Sequence, residues 1–226
     1  MTPINFHKKE KPLTSLVSMG GGAAGMANAG TADETTYADD VFSTYVYTGN
    51  NATQTINNGI KFTDNNAGYG VTFDKYGDYL NTTSSSSDFT MGTGDFTIEC
   101  WVYINDVSVL NGFFQISSTS GGFDTNYGNT LAVAWDPAAG EGWHIYGAGT
   151  YSKTTTNPPS SNTWYHTAYV RSSGTSKLYI NGTALISLSD TTNYNGTYIT
   201  IGGYYSTSYL MGGIISNFRV VRGTAV

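Results

Sequence analysis

Cysteine is nearly absent from this chain, and charge is scarce. The 226 residues include a single cysteine, Cys100, so no disulfide can close within the chain and packing and hydrogen bonds must hold the fold. Charged residues make up 12% of the sequence, about half of the usual ~25%, which argues against coiled coils and charge-rich disorder. A formal net charge of -6 opposes association with a nucleic-acid backbone. No run approaches the ~20 consecutive apolar residues of a membrane-spanning helix. Glutamate is rare: Glu10, Glu34, Glu99 and Glu141 are the full set, and none alternates with an aspartate. Each reads as a solvated surface charge. His7, His144 and His166 form no close metal-ligand pair, so neither a metalloenzyme motif nor a catalytic triad has a foothold.

What the chain does contain is glycine, 28 residues, and tyrosine, 18 residues, with 14% aromatics and 39% hydrophobic residues overall. That is enough apolar material for a core, and enrichment in aromatics and threonine favours strands over helices. Residues 1–36 are Gly, Ala and polar with little periodicity and carry Lys8, Lys9 and Lys11. They read as an extended N-terminal arm for assembly, ordered by docking on a partner. Ala27-Asn28-Ala29 has the form of a signal cleavage site, but Gly20, Gly21, Gly22 and Gly25 interrupt the apolar segment before it, and the arm is the preferred reading. Residues 37–66 are expected to form a short β appendage or linker, with a strand at 39–47 and a shorter one in "NNGIKF".

From about residue 67 the sequence is strand upon strand, punctuated by turn signals. In "DFTIECWVYIN" (95–105), Phe96, Ile98, Cys100, Val102 and Ile104 share one face, which makes Cys100 a buried small hydrophobe. Thr97, Glu99, Trp101 and Tyr103 take the other face. In "TWYHTAYVR" the set Trp164, His166, Ala168, Val170 alternates with Tyr165, Thr167, Tyr169, Arg171, and either can face the core. Asn181-Gly182 predicts a type I′ hairpin turn, and Pro158-Pro159 an exposed connection. "LAVAW" reads as a core strand that includes Trp135.

Four ordered blocks carry a family resemblance: "VTFDKYGDYLNTTSSSSDFTMGTGDFTIECWVYI" (71–104), "NTWYHTAYVRSSGTSKLYINGT" (162–183), "TYITIGG" (197–203) and "LMGGIISNFRVVRGTAV" (210–226). They resemble the laminin-G-like, concanavalin A-like jelly-roll domains. The resemblance implies an all-β fold, a two-sheet antiparallel sandwich over residues 67–226. "GTGDFTIECWVY" and "ISNFRVVRGTAV" are similar to the wording of tail-fibre-like and other virion proteins of bacteriophages, notably marine ones. What this implies is a non-enzymatic virion structural protein on the virion surface. Residues 1–36 would hold a homo-oligomer or other virion proteins, and the jelly roll would be displayed for host-surface glycans or subunit contact. A secreted or cell-surface bacterial lectin or filament subunit is the alternative, and a glycoside hydrolase a further one. The glucanases of the superfamily carry alternating carboxylates on one strand, a pattern this sequence lacks.

The resemblance also raises calcium as a cofactor, because many lectins of the superfamily hold a divalent ion. Where pentraxin-like members place acidic ligands, this chain has Tyr204-Tyr205-Ser206. Asp124, Asn126 and Asn129 are candidates for a partial site, and Asp78 is another, with ordinary loop and turn residues as the alternative for all four. Glycan recognition needs aromatic faces with polar neighbours. Trp143, Tyr151, Tyr204, Tyr205 and Tyr209 are the candidates for it, with core packing as the competing role. Sequons at Asn51, Asn81, Asn181 and Asn195 are what chance gives in a chain rich in Asn, Thr and Gly.

Overall fold

The structure is a computed structural model that describes residues 54–57, 61–64, 69–82, 85–120, 123–126 and 128–226. The arm expected at 1–36 and the strand expected at 39–47 lie outside the described residues. Among the described residues fourteen strands run in order: β1 (Gln54–Asn57), β2 (Lys61–Asp64), β3 (Tyr69–Asp74), β4 (Tyr79–Thr82), β5 (Phe96–Ile104), β6 (Asn111–Ser117), β7 (Leu131–Asp136), β8 (Gly142–Gly147), β9 (Thr150–Thr154), β10 (Thr163–Ser172), β11 (Thr175–Ile180), β12 (Thr183–Ser189), β13 (Tyr198–Ile201) and β14 (Gly212–Arg222). A single 3-10 turn at Ser87–Phe89 is the one helical element among the described residues.

The strands form two antiparallel sheets. The first, with order β1-β4-β13-β6-β7-β8-β9, is called here the tyrosine sheet. The second, with order β12-β11-β10-β5-β14-β3-β2, is the tryptophan sheet. From β3 onward the chain crosses between the sheets at β3–β4, β4–β5, β5–β6, β9–β10, β12–β13 and β13–β14, while β6–β9 and β10–β12 run as meanders within one sheet. β1 and β2, which fall in the segment expected to be an appendage, supply one edge strand to each sheet by pairing with β4 and β3.

The two-residue period of β5 explains the core. Phe96, Ile98, Cys100, Val102 and Ile104 are all fully buried, and complete burial of such side chains contributes about 1.5–3 kcal/mol each. Cys100 touches Thr167 Oγ1 at 3.3 Å, and burial pushes its thiol up to about 12, so it is an inert packing residue. On the opposite face, Thr97 is also fully buried. The chain end covers it, with the Val226 amide donating to Thr97 Oγ1 at 2.9 Å.

β10 resolves the alternation that the sequence left open. Tyr165, Thr167, Tyr169 and Arg171 turn inward, while Trp164, His166, Ala168 and Val170 face out over β5. Arg171 is only 1% exposed and donates to the carbonyls of Gly92, Gly94 and Thr192. Asp190 lies 3.7 Å from it and accepts from Tyr194 and Thr192. A buried cation is tolerable only with such a full set of acceptors.

Asn181 and Gly182 both have positive φ, 49° and 78°, and close the two-residue hairpin between β11 and β12. The same geometry recurs at Ser173-Gly174 and Ala148-Gly149, two hairpins whose turn residues are less distinctive in sequence. Pro158-Pro159 lies between β9 and β10 as expected. Pro158 is exposed, whereas Pro159 is buried.

Candidate functional site

The tyrosine sheet presents a built aromatic surface on its outer face. In β7, Leu131, Val133 and Trp135 point inward, which leaves the small residues Ala132 and Ala134 on the outside. In β8, Trp143 and Ile145 point inward and His144 and Tyr146 outward. β9 places Tyr151 opposite Tyr146 and Lys153 opposite His144. The loop between β13 and β14 packs over these two alanines and three rings.

That loop carries Tyr204, Tyr205 and Tyr209. It closes on itself, with the Tyr204 amide donating to Tyr209 O at 3.2 Å and the Tyr209 amide to Ser206 O at 3.0 Å. It lies directly on the backbone of β6 at Gly112. A Cβ there would stand 2.4 Å from Tyr209 O and 2.6 Å from Tyr204 Cδ1, so no larger residue fits without moving the loop. Tyr205 holds a left-handed φ of 64°, a conformation that costs a non-glycine residue about 1–3 kcal/mol and that the surroundings must enforce. Gln115 does part of this. Its Oε1 accepts from the Tyr205 amide at 2.9 Å and from the Asp124 amide at 3.2 Å, while its Nε2 donates to Asp124 O at 2.6 Å. One fully buried glutamine thus fastens two loops to the same sheet face.

The rings pack edge to face or tilted, as aromatic quadrupoles prefer. Centroids lie 5.4 Å apart for Tyr146 and Tyr204, 5.5 Å for Tyr146 and Tyr151, 5.6 Å for Tyr204 and Tyr209, and 5.3 Å for Tyr205 and Tyr209. Beneath them His144 is fully buried, with Nε2 at 2.8 Å from the Tyr204 hydroxyl and Nδ1 at 3.3 Å from Gly142 O. Burial lowers its pKa to about 4, so the imidazole is neutral. At the rim, Glu141 accepts from the Tyr151 hydroxyl and from Lys153 Nζ, the latter at 2.5 Å. Those bonds hold the Glu141 carboxyl below its ordinary value. Burial and the bond to Glu141 together raise the Tyr151 phenol, which keeps its proton.

The five glycan candidates separate into three situations. Tyr151, Tyr205 and Tyr209 are half-buried and form the rim of the cluster. Tyr204 is 3% exposed and is its buried keystone rather than a contact surface. The expectation for Trp143 is corrected: it is entirely buried between the sheets, against Trp135, Phe113 and Tyr165, and its indole donates to Asn157 O. It has no face to offer a ligand. Five further residues of the site, Gln115, Glu141, His144, Tyr146 and Lys153, were not singled out for it from the sequence. The alternation of "GWHIYG" around Trp143 was the available signal for His144 and Tyr146.

The calcium candidates do not assemble. Asp124 Oδ1 accepts from the Asn126 amide and Oδ2 from Thr119 Oγ1, both at 2.8 Å, and Asn126 Oδ1 accepts from the Gly128 amide. These are loop-internal turns that use both carboxylate oxygens. Asp78 lies in a different turn, where it accepts from the Asp74 amide at 3.0 Å. Among the described residues no three His, Cys, Asp or Glu side chains converge as a metal site.

A two-sheet jelly roll with an aromatic cluster built on one outer face defines the class of this molecule. The chain belongs to the concanavalin A-like lectin/glucanases superfamily, whose laminin-G-type family model matches residues 74–225. Among solved structures it is similar to domain 4 of AbnA, a GH43 extracellular arabinanase from Geobacillus stearothermophilus. The identity is 15% and the TM-score 0.59, over 80% of this chain and 88% of that domain. It is also similar to the binding domain of botulinum neurotoxin serotype G, at 14% identity and a TM-score of 0.51, over 79% of this chain and 45% of the other. A botulinum neurotoxin type C chain gives 11% identity and a TM-score of 0.50, over 79% and 44%. No curated protein matches the chain.

Proposed function

We propose that the chain is a non-enzymatic carbohydrate-binding module that holds a glycan against Tyr151, Tyr205 and Tyr209 on the outer face of the tyrosine sheet. The observation that carries this reading is the rim itself. Three half-buried tyrosines stand on a buried base of Tyr146, Tyr204 and His144, with Glu141 and Lys153 beside them. Rings of this kind pack on sugar C–H surfaces, and the polar groups next to them fix orientation. The base is rigid because its hydrogen bonds and ring contacts are already made before a ligand arrives, which lowers the entropy cost of binding.

The fold supports the same reading. The related arabinanase domain is described in complex with arabinotriose, and cell entry of the type C neurotoxin is described as dependent on two ganglioside molecules. Hydrolysis is disfavoured by the state of Glu141. A general acid needs a free carboxyl raised toward neutrality, whereas both oxygens of this one accept bonds, from Lys153 and from Tyr151, which hold it low. Titration calorimetry against a panel of oligosaccharides tests the proposal: binding without sugar release is expected, and release of reducing ends would contradict it.

The wider setting we propose is display on a virion surface, supported by the resemblance of 92–103 and 215–226 to phage virion proteins. Residues 1–36 would serve as the attachment to a homo-oligomer or other virion components, where repeated copies raise avidity for weakly bound sugars. Deleting 1–36 should leave glycan binding intact in the isolated chain while preventing incorporation into particles, read by particle fractionation. A secreted or cell-surface lectin remains the alternative setting for the same module.

A further inference from the structure

The charges around the tyrosine rim bear on which glycans it accepts. Lys153 is the cation at the rim, and its ammonium is spent on Glu141. Asp136, at the end of β7 across from Gly142, adds a second carboxylate close enough to act on both His144 and Tyr151. His144, the remaining basic group under the rings, is buried with both ring nitrogens beside oxygen atoms and carries no charge at neutral pH. Lys75, just after β3, has its ammonium donating to Leu110 O and under the influence of Asp106. The other cations among the described residues, Lys61, Arg171, Lys177, Arg219 and Arg222, belong to strands of the tryptophan sheet. Among the described residues two carboxylates therefore stand against one ammonium at the rim, and that ammonium is already paired.

Recognition of a carboxylate in a half-dehydrated site calls for a charge-assisted bond from Arg or Lys. Without one, the anion loses water and meets like charge. Glu141 has the opposite utility: an ionised carboxylate whose remaining lone pairs accept from sugar hydroxyls. We propose that the rim selects uncharged glycans, with Glu141 as a hydroxyl acceptor, and rejects sugars whose recognised residue bears a carboxylate. This inference rests on the glycan-binding reading above.

The experiment uses the full chain and matched pairs of ligands: neutral hexose or pentose oligosaccharides, and the same neutral cores capped with sialic acid or oxidised to the uronic acid. Calorimetry on the wild type should show the neutral member binding at least tenfold more tightly. In Glu141→Gln, which removes the negative charge and releases Lys153, that ratio should shrink several-fold. Equal or tighter binding of the acidic members by the wild type would overturn the selectivity while leaving the site assignment in place. Binding of neither class would remove the glycan reading and this proposal with it. The wild-type comparison stands whether or not the variant folds.

Discussion

The outer faces of the two sheets are made of similar residues and differ in architecture. The tryptophan sheet also carries exposed-side aromatics, with Trp101 tilted against His166 and Tyr103 against Trp164 at 5.3 Å each. It also carries a carboxylate between bases, since Glu99 pairs with Arg219 and lies 3.5 Å from His166. These side chains lie along neighbouring strands in register, so the described contacts are those that any pleated surface makes. On the tyrosine sheet a loop has been brought down onto alanines and a glycine and locked by a buried glutamine. Aromatic content alone therefore does not distinguish the face proposed as the site. The third layer, laid over the sheet, turns a stripe of rings into a surface with a base and a rim.

The histidines sharpen this contrast most. The folded pKa of His144, about 4, lies below the unfolded value near 6.5, so the unfolded chain takes up the proton in that window. Its stabilising contribution is complete above pH 6.5 and is lost as pH falls toward 4, an effect of about 3 kcal/mol at 1.36 kcal/mol per unit. Denaturant unfolding between pH 7 and pH 4 should show this slope, and His144→Gln should flatten it. His166 is also lowered by burial, but Glu99 opposes the shift, so His166→Gln should change the slope far less.

Next in size is binding. Replacing Tyr205 and Tyr209 together by alanine should weaken glycan affinity about 30-fold, or about 2 kcal/mol, as loss of central aromatic contacts does. The Trp101→Ala, Trp164→Ala pair should leave affinity within about twofold in chain that remains folded. Gly112→Ala probes the loop directly. The new methyl cannot coexist with Tyr204 and Tyr209 in place, so a loss of about 1–3 kcal/mol in stability is expected together with weaker binding. Smallest is the surface ion pair on the tryptophan sheet: Arg219→Ala should cost less than about 1 kcal/mol in thermal unfolding and nothing in affinity.

Much of the fold was legible because it follows the two-residue period. β5 reads correctly at all five inward positions, Asn181-Gly182 turns where its φ preferences require, and Trp135 packs in the strand that "LAVAW" announces. Less of the site was legible. Trp143 directly follows the turn-rich "DPAAGEG", which hides that a two-residue hydrophobic period begins at Trp143 itself. Tyr204 and Tyr205 are adjacent and equivalent in sequence, but one is buried against His144, sixty positions away, and the other stands at the rim. Gln115 carries no local mark, since its partners lie 9 and 90 residues distant. Long-range packing decides such roles, and a linear pattern does not encode it. Arg171 is similar, an ordinary strand cation in sequence whose carbonyl acceptors come from three other loop positions.

The account depends on where a sugar contacts the molecule. Amide chemical shifts followed by NMR during titration with a neutral oligosaccharide locate that contact on the intact fold. Perturbations should concentrate at Glu141, Tyr151 and residues 204–209, with β5 and β10 silent. Shifts centred on Trp101, Trp164 and Tyr103, with the tyrosine rim unchanged, would contradict the account.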